Sequence, residues 1–316
     1  MIGRVRESRN PKKVIRVAIM ESYGEIWRVP VNLSCIARGE HLAAMRRQGL
    51  RVIRTGDEFT VNPVKACPME EYRDRPDVIF VCVKGYSLDP LIPFIRRVAH
   101  KNTIVIPILN IYGTGAAMQK KLPGILVLDG CIYMAAQLES PGVIRMSGDI
   151  LRVVFGVRSA EEFRPELKEI EGELASCGIG GGLSEDIRRD ALMKFSYVSP
   201  QGACGLYYGV SAGAMQQEGA CRNFFRELVH EIDLLAQAQG ICFTEDIVQR
   251  NLDILDSLSP DMTTSLQKDI AAGKNSEADG LIFEVVRIAH RLHVRVPAYE
   301  KAAEKLRGEL SEQKAY

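Results

Sequence analysis

The chain has 316 residues, of which 46% are hydrophobic and 26% are charged, and its net charge is +1. These values are typical of an ordinary globular protein long enough for two domains, and the near-neutral charge gives no reason to expect nucleic acid or another polyanion as a partner. No apolar run approaches the roughly 18 residues needed to span a membrane, and no signal peptide is evident, so we expect a cytoplasmic protein without a membrane partner.

The eight cysteines are scattered through apolar surroundings, and none forms a Cys-x-x-Cys pair. Their spacing indicates neither a zinc site nor a redox dithiol. We therefore expect buried free thiols in a reducing cytosol and no bound metal.

The first half of the chain alternates short apolar runs with amphipathic stretches. Strands are predicted at 14–19, 33–37, 77–83 and 103–109, with a helix over 91–98. The near-continuous apolar run at 77–83 is typical of a parallel strand buried on both faces. This rhythm predicts an α/β domain with a Rossmann-like, doubly wound parallel sheet. Two further strands are predicted at 142–146 and 151–156, for which an antiparallel arrangement is one possibility.

From Ser184 onward the apolar residues recur at helical spacing, as in the stripe that begins with Phe224 and Leu228. The glycine-rich run 178–182 marks the change and predicts a hinge, and Ser184 predicts a helix start. We therefore predict a Rossmann-like domain over residues 1–182 and an all-helical C-terminal domain over 183–316, with a ligand cleft between them. The apolar stripe at 281–292 is a candidate homodimer interface, although core packing is the commoner use of such a stripe.

The segment 265–279 is too polar and too irregular to be only a packing helix. Leu266 and Ile270 keep helical spacing, 271–275 stops the helix, and Ser276 can cap a new one. Ser265 would then lie on one helix and Glu277 in the first turn of the next, where a carboxylate suits the helix N-terminus. A helix–loop–helix corner with solvated charges is the alternative interpretation.

Four other polar residues are candidates for a site. Lys194 has mostly apolar neighbours on its helix, so it must either extend to solvent or face a cleft. Asn110 ends a predicted strand, where doubly wound sheets bind ligands, unless it is an ordinary turn residue; Lys84 ends the preceding strand in the same way. Arg38 follows the second strand, where a basic residue favours the 2′-phosphate of NADP, unless it is a solvated residue at a helix start.

Together these residues resemble the pattern of the ketopantoate (2-dehydropantoate) reductase family. The resemblance runs from about residue 36 to residue 306, and the Ser265–Glu277 spacing and the surroundings of Lys194 are its more specific parts. It implies NADPH-dependent reduction of 2-dehydropantoate to pantoate, in pantothenate and coenzyme A biosynthesis, or reduction of a related 2-oxo acid.

The resemblance also implies a role for each matching residue. Lys194 would donate the proton to the substrate oxygen, and Asn110 would contact both cofactor and substrate. Ser265 would bind the substrate. The remaining contacts to NADP(H) would come from Arg38, Lys84, Ala136 and Glu277.

The chain departs from the family pattern after its first strand. The family has a Gly-x-Gly-x-x-Gly turn there, whose glycines let the backbone approach the pyrophosphate. This chain keeps only Gly24, and Pro30 would break the expected helix. Three explanations are open: a divergence that weakened or abolished cofactor binding, a different local structure that still binds it, or an error in the reading frame at the 5′ end of the gene.

The substrate positions differ as well. The family's asparagines at four, eight and eighteen residues after the lysine fall here on Val198, Gly202 and Ala212, whose side chains cannot form hydrogen bonds. The polar residues that could replace them are Ser196, Ser199 and Gln201. A 2-oxo acid other than ketopantoate is therefore a candidate substrate. Two other functions are also open. One is a catalytically silent homologue that binds a 2-oxo acid or a protein partner without cofactor, and the other is a hydroxy-acid dehydrogenase working in the oxidative direction.

Overall fold

The structure is a computed structural model that describes residues 16–20 and 32–313, with side chains described from Asn32 to Ser311. The segment with Gly24 and Pro30, on which the three explanations of the altered turn depend, lies outside the described residues.

The strands of the described residues are given in chain order. They are β1 (Arg16–Met20), β2 (Asn32–Ile36), β3 (Leu50–Arg54), β4 (Asp57–Val61), β5 (Ala66–Cys67), β6 (Val78–Val81), β7 (Ile104–Pro107), β8 (Leu126–Val127), β9 (Asp129–Tyr133), β10 (Ala136–Ser140), β11 (Val143–Met146), β12 (Arg152–Gly156) and β13 (Gly180–Leu183).

The helices of the same residues follow. They are α1 (Gly39–Gln48), α2 (Leu91–Val98), α3 (Thr114–Lys121), α4 (Glu166–Ser176), α5 (Ile187–Tyr208), α6 (Ala212–Gln216), α7 (Ala220–Ala238), α8 (Ile247–Asp256), α9 (Ser265–Ala271), α10 (Glu284–Leu292) and α11 (Pro297–Gln313). Short 3-10 turns lie at Gly85–Ser87 and Ala160–Glu162, and a π-helical segment at Asp279–Phe283 leads into α10.

The main sheet has six strands in the order β5-β2-β1-β6-β7-β8, and all of its pairs are parallel. Counted in their order along the chain, these strands follow the 3-2-1-4-5-6 order of doubly wound dinucleotide-binding sheets. The predicted fold class is therefore confirmed. The strands predicted at 14–19, 33–37, 77–83 and 103–109 correspond to β1, β2, β6 and β7.

Strand β6 shows why this sheet needs cover on both faces. Val78 and Phe80 belong to one core cluster, together with Leu167 of α4, whereas Ile79 and Val81 belong to another, together with Ile95 of α2. Successive side chains of a strand point to opposite faces, and all four β6 residues are buried. An uninterrupted apolar run is the sequence pattern that such a strand requires.

Two smaller sheets extend the α/β domain, in the orders β10-β11-β3-β4 and β13-β12-β9. The two strands predicted at 142–146 and 151–156 are β11 and β12, and each has one antiparallel and one parallel neighbour. The glycine-rich run where a domain hinge was predicted includes strand β13 (Gly180–Leu183), and the hinge stays a prediction. At Gly181 a side chain would collide with the backbone oxygen of Val153, so close packing, not flexibility, explains the glycine there.

The second domain is helical, as predicted. Helix α5 is 22 residues long and packs against α7 and α11 around one apolar core. It begins at Ile187, and its N-cap is Asp186, two residues after Ser184, the serine that was predicted to start it. The Ser184 hydroxyl donates to Asp190 instead. The division between the domains after residue 182 stays a prediction.

The stripe at 281–292 is part of this core. Leu281, Ile282, Val285, Val286 and Ala289 are all buried within the chain. These residues are therefore not a free surface, and a homodimer stays a prediction that would need another interface.

The predicted burial of the cysteines is only partly correct. All eight are free thiols, but Cys242 is exposed and Cys67, Cys177 and Cys221 are half-buried. The described residues contain no group of three or more His, Cys, Asp or Glu side chains that could hold a metal ion, and none of their helices has the length and apolar character needed to cross a membrane.

Candidate active site

Four polar residues follow strands of the main sheet and share one edge of it. Arg38 comes after β2, Lys84 after β6, Asn110 after β7, and Asp129 at the start of β9, directly after β8. The carboxyl ends of parallel strands meet at one edge, and ligands bind there at the point where the strand order reverses. In this sheet the reversal lies between β1 and β6, next to Lys84.

Lys194 reaches this edge from the helical domain. It lies on α5 with a relative exposure of 9%, and its Nζ donates to Asn110 Oδ1 at 2.6 Å and to the backbone oxygen of Ile132. The face of the Tyr133 ring lies 5.6 Å from Nζ. The interpretation that Lys194 extends to solvent was therefore wrong.

Burial sets the acidity of this ammonium group. It lowers the pKa of Lys194 from 10.5 to about 8, and the interactions with Cys131 and Glu277 oppose the shift only in part. A buried cation held by two neutral oxygens loses hydration without gaining a carboxylate partner in contact, which explains the direction. An ammonium group with this pKa can release its proton near neutral pH.

Glu277 joins the two domains. Its carboxylate is 5% exposed and accepts from the backbone N–H of Gly85 at 3.0 Å, while its other oxygen lies 3.3 Å from Lys84 Nζ. Asp269 of α9 lies on the same lysine at 3.1 Å. Two carboxylates from the helical domain thus hold the lysine that follows β6.

This position corrects the prediction made for Glu277 and Ser276. The new helical segment has Ala278 as its N-cap, with no side-chain cap, so Ser276 does not start it and Glu277 precedes its first turn. The backbone oxygen of Glu277 accepts from Leu281 N–H within the helical domain, whereas its carboxylate accepts from Gly85 N–H of the α/β domain. Asp269 was missed altogether; its place four residues after Ser265, on one side of a helix, was the available signal.

Arg38 lies near the same cluster. It is exposed at the start of α1, and its charge acts on the hydroxyl of Tyr86. Partial burial raises the pKa of Tyr86, with the charges of Lys84 and Arg38 opposing the shift and those of Asp269 and Glu277 adding to it. Arg38 therefore acts on the same tyrosine as Lys84 and its two carboxylate partners, Asp269 and Glu277.

Comparison with known proteins agrees with this geometry. The family model described as "Ketopantoate reductase PanE/ApbA" matches residues 29–160, and the model of the corresponding C-terminal part matches residues 186–309. The chain belongs to the ketopantoate reductase family. Members of this family are nicotinamide dinucleotide-dependent reductases, and membership places the chain among the oxidoreductases by family.

Individual relatives are distant but cover nearly the whole chain. The 2-dehydropantoate 2-reductase of Mesorhizobium japonicum is 23% identical over 290 residues, which are 85% of this chain and 87% of that protein. A PanE/ApbA family ketopantoate reductase from Ralstonia eutropha JMP134 has a TM-score of 0.85 at 21% identity, covering 95% and 100% of the two chains. D-mandelate dehydrogenase, solved with NADH and anilino(oxo)acetate, has a TM-score of 0.84 at 17% identity with the same coverage. The two structural matches show a shared fold.

Two residues that the ketopantoate reductase pattern picked out form no described hydrogen bond with the Lys194–Asn110 pair. Ser265 is the exposed first residue of α9, where Thr264 and Gln267 form a capping box. Ala136 is the half-buried first residue of β10 and packs near the core around β2 and β3. Within the described residues, no hydrogen bond links either residue to Lys194, Asn110 or Glu277, so their ligand-binding roles stay predictions.

The polar residues proposed to replace the family asparagines have different fates. Ser199 Oγ donates to the backbone oxygen of Leu281 and lies 2.6 Å from the Tyr299 hydroxyl, and Ser196 Oγ donates to the backbone oxygen of Met193. Both serines are fully buried and engaged in the helical core. Gln201 is buried as well, on the same face of α5 as Lys194 and two turns further on, which makes it the remaining candidate.

A groove that includes Lys194 opens on the side of this residue away from helix α9. It has a volume of about 720 Å³ and lies between α3 and the start of β9 on one side and the start of α5 and helix α10 on the other. Lys194, Asn110 and Glu277 are among its lining residues, and none of these residues comes from α9. The sequence predicted a cleft between the two domains but not the residues that line this groove, because its walls come from segments far apart in the chain.

Proposed function

We propose that the protein catalyses the NADPH-dependent reduction of a 2-oxo acid to a 2-hydroxy acid, with 2-dehydropantoate to pantoate as the first candidate reaction. The observation that carries the proposal is the buried Lys194 ammonium, held against Asn110 at the ligand-binding edge of a doubly wound sheet. The relatives named as 2-dehydropantoate 2-reductases support the candidate substrate.

The residues at the sheet edge suit a nicotinamide dinucleotide. Lys84 and Asn110 bring hydrogen-bond donors to the strand ends beside the reversal point, and Glu277 offers a carboxylate that can accept from ribose hydroxyls. Ala136 is proposed to contact the nicotinamide side through its backbone. When bound, the nicotinamide supplies the hydride that reduces the substrate carbon.

Lys194 supplies the proton. As the carbonyl carbon gains a hydride, the electron pair of the C=O π bond moves to oxygen, and the oxygen takes a proton from Nζ to become the hydroxyl of the product. Lys194 is then neutral and regains its proton from solvent. General-acid catalysis is most efficient when the pKa of the donor lies near the working pH, and the lowered pKa of Lys194 meets that condition.

The carboxylates of Asp269 and Glu277, which contact Lys84, fix how the two walls of the cleft lie against each other. Because Glu277 also accepts from Gly85 N–H, it fixes the turn after β6 relative to the helical domain. Asn110 is held by Lys194, so the residue proposed to contact both ligands is oriented by the proton donor itself. Ser265 is proposed to bind the carboxylate end of the substrate. Holding two reactants in register contributes up to about 7–11 kcal/mol in favourable cases.

Arg38 supports NADPH over NADH. It follows β2, where an acidic residue would bind the ribose 2′-hydroxyl of NAD, and a guanidinium forms a charge-assisted bond with the 2′-phosphate of NADP. NADH is the matched comparison cofactor, because the D-mandelate dehydrogenase structure contains it.

A cofactor titration combined with turnover tests the proposal against its rivals. Purified protein is titrated with NADPH and with NADH while nicotinamide fluorescence is followed, and initial rates are then measured with 2-dehydropantoate. Saturable binding and turnover support the reductase. Absence of binding at millimolar concentrations of both cofactors would establish the silent homologue, which the loss of glycines around Gly24 motivates. Faster turnover of hydroxy acids with NADP⁺ would favour the oxidative dehydrogenase.

A further inference from the structure

The groove beside Lys194 extends the proposed function, on which this inference rests. We propose that the groove between α3 and α10 receives the side chain of the 2-oxo acid, and that the enzyme therefore accepts 2-oxo acids with extended, mainly apolar side chains. The groove is continuous with the site, since Lys194, Asn110 and Glu277 line it.

The opposite flank of Lys194, where Ser265 is proposed to bind the substrate carboxylate, has little room for a substrate side chain. One and two turns further along α5, the chain presents half-buried Val198 and then Gly202. A side chain at position 202 would come within 3.1 Å of Leu266 of α9, so helix α9 already covers this face. Ala212 is fully buried. A substrate side chain therefore finds little room towards α9.

The groove offers both space and an apolar surface. Its volume of about 720 Å³ lies well within the roughly 300–1,000 Å³ of pockets that hold drug-sized ligands. Ala191 and Ile187 line it from α5, three and seven residues before Lys194 and so on the same face. Ile111 and Ile288 add apolar surface from the other walls. Apolar groups that extend from the reacting carbon would be buried here.

A cation lies at the outer part of this path. Arg188 lines the groove six residues before Lys194, which corresponds to roughly 9 Å along a helix. Its guanidinium donates to the backbone oxygen of Gln239 at 3.1 Å, and in the described part of the chain it has no carboxylate partner within ion-pair distance. The distance from Lys194 to Arg188 leaves length for a side chain of several carbons.

A chain-length series measures this preference. We would compare kcat/KM for 2-oxobutanoate, 2-oxohexanoate and 2-oxooctanoate with that for 2-dehydropantoate, using NADPH and NADH in parallel. Each methylene that enters an apolar groove is expected to raise kcat/KM about fourfold, equivalent to about 0.8 kcal/mol. We expect the value for 2-oxooctanoate to exceed that for 2-oxobutanoate at least tenfold.

Filling the groove provides the structural test. Ile288→Trp, and independently Leu292→Trp, should lower the ratio of the 2-oxooctanoate to the 2-oxobutanoate value at least tenfold. Both residues are half-buried on α10 and line the groove, and a second variant guards against misfolding of the first. Ile150→Trp is the matched control, because Ile150 is 68% exposed and lies outside the groove; its ratio should equal that of the wild type.

The outcomes separate this inference from the proposed function. A flat series, a preference for compact substrates, or ratios unaffected by both groove variants would overturn the inference, while turnover of any 2-oxo acid would leave the reductase assignment standing. If no member of the series were reduced with either cofactor, the proposed function would be overturned and the inference with it.

Discussion

The acidity of Lys194 leads to the most direct prediction. Burial lowers its pKa from 10.5 to about 8, a difference that corresponds to roughly 3 kcal/mol against the charged form. About nine tenths of the groups would carry the proton at pH 7 and about one tenth at pH 9. If Lys194 donates the proton, kcat/KM for reduction should be nearly constant below pH 7 and fall about tenfold for each pH unit well above 8.

The assay follows NADPH consumption from pH 6 to pH 10, with the wild type and two variants. Lys194→Met keeps an unbranched side chain but removes the proton, and should lower kcat by about 10²–10⁴. Lys194→Arg keeps the charge, but a guanidinium does not release its proton at these pH values, so the residual rate should lose the decline above pH 8. A wild-type profile that stays flat to pH 10, or full turnover by Lys194→Met, would refute the assignment of the proton donor.

Three further substitutions test other parts of the structure. Glu277→Ala removes the acceptor of Gly85 N–H and one carboxylate from Lys84; urea unfolding should show a loss of about 1–3 kcal/mol, smaller for Glu277→Gln, and equal stability would contradict the contact. Glu231→Ala leaves two buried N–H groups at the start of α11 without their acceptor and should cost about 1–3 kcal/mol for each, measured in the same way. Arg38→Glu should shift the ratio of kcat/KM for NADPH to that for NADH at least tenfold towards NADH, and an unchanged ratio would remove Arg38 from the cofactor site.

The sequence by itself was enough to predict several strands and helices and the family. The apolar run at 77–83 predicted a doubly buried strand, and Leu266 and Ile270 placed a short helix that begins at Ser265. These patterns are local, because a strand or a helix repeats its environment every two or every three to four residues. Positions at the strand ends were predictable for the same reason, since the order of a parallel sheet brings them to one edge.

The tertiary structure alone decided which of these residues meet. Lys194 and Asn110 are 84 residues apart in the chain, and Glu277 and Gly85 are 192 residues apart. Whether Lys194 faced solvent or the cleft, and whether Glu277 served its own helix or the neighbouring domain, depended on how the two domains pack. Local spacing contains no information on that packing, because the same helix can present a lysine to water or to a partner surface. The groove beside Lys194 arises in the same way, from walls that only the assembled domains bring together.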